Sequence, residues 1–274
     1  MLTFLFWNLN RKDLISSLVQ LVVTHNVDIL ILAECTHTQL FPDNILLALN
    51  PEGQKAEFHY APSKCDRIQI FTRFSDSFVK PISESERYTL RRLTLPGRDA
   101  LLLVAAHLLS QLHAKESTLI FEVGQFAEEI RRTEKELGHS RTIVVGDLNM
   151  NPFSDGVVSA SGLHGVMTQE IARKKLRTVQ GRDYPFFYNP MWRCLGGSTI
   201  APAGTYYYRS SDHVCYFWNT FDQVLIRPDL LDQWDDTSLQ ILTNDGTQSL
   251  LMPNALPDKT NFSDHLPLLF RLNL

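Results

Sequence analysis

The chain has 274 residues, of which 44% are hydrophobic and 20% charged, the composition of a folded globular protein with enough chain for a large core. Its formal net charge of −4 excludes a surface coated in positive charge, but not a local basic groove against nucleic acid. No run is apolar enough to span a bilayer, so no membrane insertion is expected; the nearest, residues 14–32, is interrupted by Ser16, Ser17, Gln20, Thr24, His25, Asn26 and Asp28.

The opening MLTFLFWNLNRK has no basic leader ahead of its apolar segment, which predicts cytoplasmic residence. Residues 3–9 read as a first core strand. Residues 13–24 space Leu14, Leu18, Leu21 and Val22 on one helical face. Residues 27–33 are continuously apolar and read as a buried strand with Glu34 at its exit. Residues 41–49 form a helix that tolerates Pro42 in its first turn. Residues 68–74 and 88–95 are strands, and the Pro96-Gly97-Arg98-Asp99 turn joins the latter to a strand over 100–106. His107 follows directly. Residues 115–136 form a long helix with Leu119, Val123, Phe126 and Ile130 on its apolar side.

Residues 142–145 are the next strand, and 156–161 a short helix or turn. Residues 162–205, rich in Gly, Pro and aromatics, predict an irregular surface region around a few short elements. Later strands fall at 205–209, 221–226, 238–242 and 266–271. Strands interleaved with helices, then strand-rich segments, fit one two-sheet core covered by helices. There is no clear linker, so a single catalytic domain over 1–274 is expected. Cys35, Cys65, Cys194 and Cys215 are scattered without CxxC spacing and read as free thiols.

Polar groups recur where apolar runs stop: Asn8, Glu34, His107, Asp147 with Asn149, and Asp264 with His265. A carboxylate at the edge of a core is unfavourable unless a cation or hydrogen bonds compensate it, and a shared pocket across the strand ends is one way to supply them. Oxygen donors such as Asn8, Glu34, Asp147, Asn149 and Asp264 suit Mg²⁺ or Mn²⁺. Each segment alone has a plain structural reading. SDHLP also reads as a capped turn, and His107 equally as an ordinary strand-end histidine.

In order, FWNLN with Asn8, LILAE with Glu34, AAHL with His107, VVGDLNMNPFS with Asp147 and Asn149, NTFDQVLI with Asp222, and SDHLPLLF with Asp264 and His265 resemble the endonuclease/exonuclease/phosphatase superfamily, the deoxyribonuclease-I-like fold. The resemblance implies an α/β fold, a four-layered α/β sandwich of two central mixed β-sheets flanked by helices. It implies divalent-cation-dependent phosphoester cleavage, with Glu34 as chief metal ligand and Asn8 and Asp264 supporting it. By the same resemblance, Asp147 positions or deprotonates the attacking water and Asn149 orients water or phosphate. His265 contacts the scissile phosphate and Asp222 holds its other ring nitrogen. His107 resembles the histidine of phosphodiesterase and phosphatase branches, where abasic-site repair nucleases typically carry tyrosine.

Substrate choice is written less plainly. Arg67 and Arg73 flank one strand, and Arg173, Lys174, Lys175 and Arg177 form the densest basic run, which reads equally as a surface helix or a phosphate-contacting segment. Aromatics including Trp192 and Tyr207 follow it, some for the core and some available to stack on bases. These features favour a nuclease acting on DNA. The alternative is a phosphodiesterase or phosphatase for a small molecule or lipid headgroup, which His107 and the acidic net charge keep open. A protein partner remains unspecified.

Overall fold

The computed structural model describes residues 1–35, 41–53, 57–110, 115–196 and 202–274. Strand β1 (Leu2–Asn8) is buried throughout, with Phe4 and Phe6 in one core and Leu5 and Trp7 in another. That alternation marks a strand covered on both faces. Helix α1 (Ile15–His25) buries Leu18, Leu21 and Val22, and ends at Asn26, whose φ of 52° is left-handed, a conformation that terminates helices. β2 (Ile29–Ala33) lies parallel to β1. Then come α2 (Phe41–Leu49), β3 (His59–Ala61) and β4 (Ile68–Thr72).

β5 (Val79–Glu84), β6 (Tyr88–Leu93) and β7 (Leu101–His107) form an antiparallel meander. α3 (Glu116–Leu137) crosses back, stops at Gly138 and leads to β8 (Thr142–Asp147), parallel to β7. The segment expected to be irregular contains short elements. After α4 (Asp155–Val158) come β9 (Gly165–Val166), α5 (Gln169–Ala172), the hairpin β10 (Leu176–Val179) and β11 (Arg182–Pro185), and β12 (Phe187–Tyr188). These strands have two to four residues, too few for a period to show. A second small hairpin pairs β13 (Tyr206–Tyr207) with β14 (Trp218–Asn219). β15 (Asp222–Ile226), β16 (Gln240–Ile241) and β17 (Leu268–Leu272) complete the chain. β3 and β5 are strands that no apolar alternation announced; β5 is mostly exposed.

Two sheets result, six strands in the order β16-β17-β1-β2-β4-β3 and seven in the order β5-β6-β7-β8-β15-β12-β9. Phe4, Ile31, Leu103, Val145, Val224 and Phe270 fill the space between them. α1 and α2 cover the outer face of the first sheet, with Leu21 and Ile45 against Leu5 and Leu32. α3 covers the second, with Phe126 and Ile130 against Leu102 and Val144. This is the expected four-layered α/β sandwich. The exits of β1, β2, β7 and β8 meet at one end. β15 and β17 run antiparallel to their neighbours and therefore start there. Among the described residues no helix is long and apolar enough to cross a membrane.

Candidate active site

Gly146 seats the centre of the site. Its φ is 154°, and a Cβ there would lie 1.9 Å from the Ala106 carbonyl oxygen, so only glycine allows β8 this close to β7. The next residue pair in register is His107 and Asp147. On the other side of β8, Asp222 pairs with Asp147. Glu34 and Asn149 turn out of their strands with φ of 48° and 52°, left-handed values that are uncommon for non-glycine residues and cluster at functional sites.

The polar groups converge on Asp147. The Asn8 amide Nδ2–H donates to Asp147 Oδ2 at 2.9 Å, and the Asn149 backbone N–H donates to Oδ1 at 2.8 Å. Nε2 of His107 and Nε2 of His265 stand 3.8 and 3.9 Å from Oδ2. His107 Nε2 also meets Glu34 Oε1 at 3.2 Å. His265 Nδ1 is 2.8 Å from Asp222 Oδ2. Ser263, part of the SDH segment but given no role of its own by the sequence, ties the last segment in place. Its hydroxyl donates to the Asn8 carbonyl at 2.6 Å and accepts from the His265 N–H at 3.1 Å. Trp7 Nε1–H donates to the His265 carbonyl at 2.9 Å.

The electrostatics follow from this crowding. The hydrogen bond from His107 holds the Glu34 carboxyl down at about 2, against the opposing effect of burial. Burial pushes Asp147 up, opposed by the charge of His265 and assisted by that of Asp222. Burial works against a proton on His265, but the carboxylates of Asp222 and Asp147 outweigh it and push its pKa up to about 10. An imidazolium clamped by Asp222 is a fixed positive group for an anionic substrate.

Ligand atoms of Asp147, Asp222 and His265 lie within 4.8 Å of one another, a cluster that could hold a divalent ion were His265 neutral; with His265 protonated against Asp222, a cation would fall to the neighbouring oxygens of Glu34, Asp264 and Asn8. Buried oxygens Asp222 Oδ1 and Asp264 Oδ1 make no hydrogen bond to any described residue. Buried acceptors left unpaired are unfavourable, and a cation fits the orphaned oxygen of Asp264, which lines the cavity, and the oxygen-rich donor set beside it.

The groups open on a cavity of about 770 Å³. Asn8, Glu34, His107, Asp147, Asn149, Asp264 and His265 line it, with Arg67 on its wall; Asp222 lies behind His265. Arg11, Arg87 and Tyr216, which no motif singled out, also line it, as do Tyr206 and Tyr208 of the GTYYY segment.

Other expected substrate contacts lie elsewhere. Arg73 sits at the opposite end of the first sheet, its Nη1–H donating to Asn26 Oδ1 at 2.6 Å. Arg173, Lys174, Lys175 and Arg177 are also at the far end. Arg173 pairs with Asp232 at 2.8 Å and Lys175 with Asp229 at 3.1 Å, while Lys174 is exposed and Arg177 faces Tyr184 across the β10–β11 hairpin. Nearness in sequence to Asp147 is lost because α5 and β10 come after the chain has recrossed the sheet. Tyr207 points away from the cavity against Trp218, at 5.4 Å between ring centres, because strand residues alternate and its neighbours face inward. Trp192 packs 6.5 Å from Phe153, which in turn meets the cavity-lining Tyr216 at 5.3 Å, so two rings separate Trp192 from the cavity.

A family model described as the Endonuclease/Exonuclease/phosphatase family matches residues 5–265. No curated protein matches the chain. Among solved structures it is similar to a humanized TDP2 of D. rerio, at 15% identity and a TM-score of 0.58, covering 100% of this chain and 99% of that one. It is similar to truncated TDP2 of Caenorhabditis elegans, at 18% identity and 0.55, covering 98% of each. It is also similar to an AP endonuclease of Archaeoglobus fulgidus, at 15% and 0.54, covering 100% of each. At these identities the likeness establishes the fold.

Proposed function

The chain belongs to the endonuclease/exonuclease/phosphatase family, and from that premise we propose that it is a Mg²⁺- or Mn²⁺-dependent nuclease hydrolysing phosphodiester bonds in DNA. Family and buried Asp/His cluster together support metal-dependent phosphoester hydrolysis in general. One observation carries the reading further. The catalytic groups share their cavity with Arg11, Arg67 and Arg87 and with Tyr208 and Tyr216, cations for backbone phosphates and rings for bases. Proteins of similar fold include an AP endonuclease and a TDP2 complexed with single strand DNA product.

The roles follow from placement. Glu34, Asp264 and Asn8 would hold the divalent ion. When bound, it supplies positive charge for the phosphoryl oxygens and a lowered pKa for water. Asp147, anchored by Asn8 and Asn149, orients the attacking water and accepts its proton. Burial raises Asp147 toward the range where a carboxylate is an effective base. His265, protonated and fixed by Asp222, and His107 donate to nonbridging oxygens as charge builds on phosphorus. Water attacks in line, and the leaving oxygen departs on the opposite side; no covalent intermediate is needed.

The test is cleavage of labelled single-stranded, double-stranded and supercoiled DNA with Mg²⁺ or Mn²⁺, beside EDTA and an Asp147→Asn protein. Metal-dependent cutting that disappears in both controls is the expected result. Intact DNA in every lane with a folded wild-type protein overturns the reading and turns the search to small phosphoesters.

A further inference from the structure

Tyr206 occupies a place in the cavity that none of the roles above uses. Its ring lies 4.6 Å from the His265 ring at 34°, and the backbones of these two residues form an antiparallel bridge. On its remaining sides it meets Phe221 at 5.4 Å and Tyr208 at 6.3 Å. The imidazole is thus held twice, by Asp222 at its Nδ1 edge and by the phenol ring on its face. Thr205 fixes the strand beneath: its N–H donates to the Asn219 carbonyl, and its carbonyl accepts from the Leu266 N–H. The Thr205 hydroxyl accepts from the Asp222 N–H at 3.1 Å. The ring position is therefore built by the same elements that position the catalytic pair.

Tyr206 lines the cavity, and its O–H makes no hydrogen bond to any described residue. Its charged neighbours are the carboxylates of Asp264, Asp147 and Glu34. Simple packing against His265 needs only a phenylalanine; the hydroxyl of the half-buried Tyr206 stands instead as an open donor on the cavity wall.

Building on the phosphodiesterase reading, we propose that Tyr206 contacts the substrate directly, its phenol O–H donating a hydrogen bond to a nonbridging oxygen of the phosphoryl group that His265 holds. The donor is available at neutral pH. A phenol ordinarily titrates at about 10, so it is protonated there. Tyr206 adds a neutral donor to the charged one on His265, and the ring stack sets the angle between them. Preorganised donors of this kind act where charge develops.

The experiment is steady-state kinetics of wild type, Tyr206→Phe, Tyr206→Leu and Tyr207→Phe with Mg²⁺, on bis(p-nitrophenyl) phosphate and on a DNA oligonucleotide. Thermal unfolding of each protein is measured alongside. Tyr206→Phe keeps the stack and loses only the hydroxyl, so kcat falls about 10- to 100-fold on both substrates, with KM and the unfolding midpoint little changed. Tyr206→Leu also frees His265 and shifts the pH–rate profile. Tyr207→Phe, whose ring faces Trp218, keeps wild-type kinetics. A Tyr206→Phe protein with wild-type kcat, or with KM alone raised, overturns the proposal. Wild-type turnover of the small diester without DNA cleavage overturns the DNA reading instead and leaves the Tyr206 comparison decisive on the small substrate.

Discussion

Each end of the sandwich buries a charged cluster, and the two are built on opposite plans. At the far end, Arg227 and Glu134 are 2% and 7% exposed. Arg227 Nε–H and Nη2–H donate to the two Glu134 oxygens at 2.8 and 3.0 Å, and Nη1–H to the carbonyls of Pro185 and Phe186 at 2.9 and 3.1 Å. Thr142 Oγ1–H donates to Glu134 Oε1 at 2.6 Å, and the guanidinium lies 3.7 Å over the Phe187 ring. One cation meets one anion, and the donors find acceptors. At the other end, four carboxylates and two histidines crowd together, and Asp222 Oδ1, Asp264 Oδ1 and His107 Nδ1 are buried without partners among the described residues. The far cluster is satisfied by the fold alone. The near one is left incomplete among the described residues, the state in which a site able to take a cation and an anion is found.

Charge removal should therefore have opposite consequences at the two ends. Glu34→Gln should lower phosphodiester hydrolysis by about 10³-fold or more, with a stability loss of only about 1–2 kcal/mol from the weakened contact with His107. Glu134→Gln strands a buried guanidinium and should cost about 3–5 kcal/mol of stability, while the activity per folded molecule stays unchanged. Urea unfolding beside rate measurements on both proteins checks the pair. Matching stability losses would break the contrast between the two clusters.

The arginines sharpen the same contrast. Arg67→Ala and Arg87→Ala, on the cavity wall, should each reduce the salt slope of DNA binding by about 1. Replacing Arg173, Lys174, Lys175 and Arg177 together should leave that slope nearly unchanged, because Arg173 and Lys175 face Asp232 and Asp229 at the other end. Fluorescence anisotropy across a salt series reads both. A slope that falls only in the quadruple variant reverses the assignment of the binding face.

The smallest effect concerns a carboxylate away from both clusters. Burial opposes the charge of Asp245, but the N–H groups of Gln248 and Thr247, with the hydroxyls of Thr247 and Ser17, outweigh it and hold the pKa at about 2. A carboxyl depressed in the folded state stabilises above its ordinary unfolded pKa and loses that contribution as pH falls through the folded value. Asp245→Asn should therefore cost about 1–2 kcal/mol at pH 7, and the gap should close between about pH 4 and pH 2. Urea midpoints across that range test it; a gap that persists at pH 2 rejects the charge-based explanation.

Much of the catalytic end was legible because it is written locally. Glu34 follows LILA and Asp147 follows VVG, and an acid placed where a buried strand stops stands out from any apolar background. Gly146 belongs to the same signal, since only its missing Cβ lets β7 and β8 bring His107 beside Asp147. Tyr206 and Tyr208 were hidden inside GTYYY, where three identical residues give no clue to which face the cavity. Arg11 and Arg87 carry no pattern of their own.

The sequence by itself determined the core strands, the three long helices, the family and the order of the strand-end polar groups, because buried runs, helical spacing and the motifs at their exits are properties of neighbouring residues. The tertiary structure alone decided which basic residues and rings reach the cavity, and which acids pair with which cations. Glu134 and Arg227 are 93 positions apart, and His265 and Asp222 are 43. Partners so distant meet only through sheet register and chain crossing, and a shift of one residue in register turns Tyr207 inward and Tyr206 away.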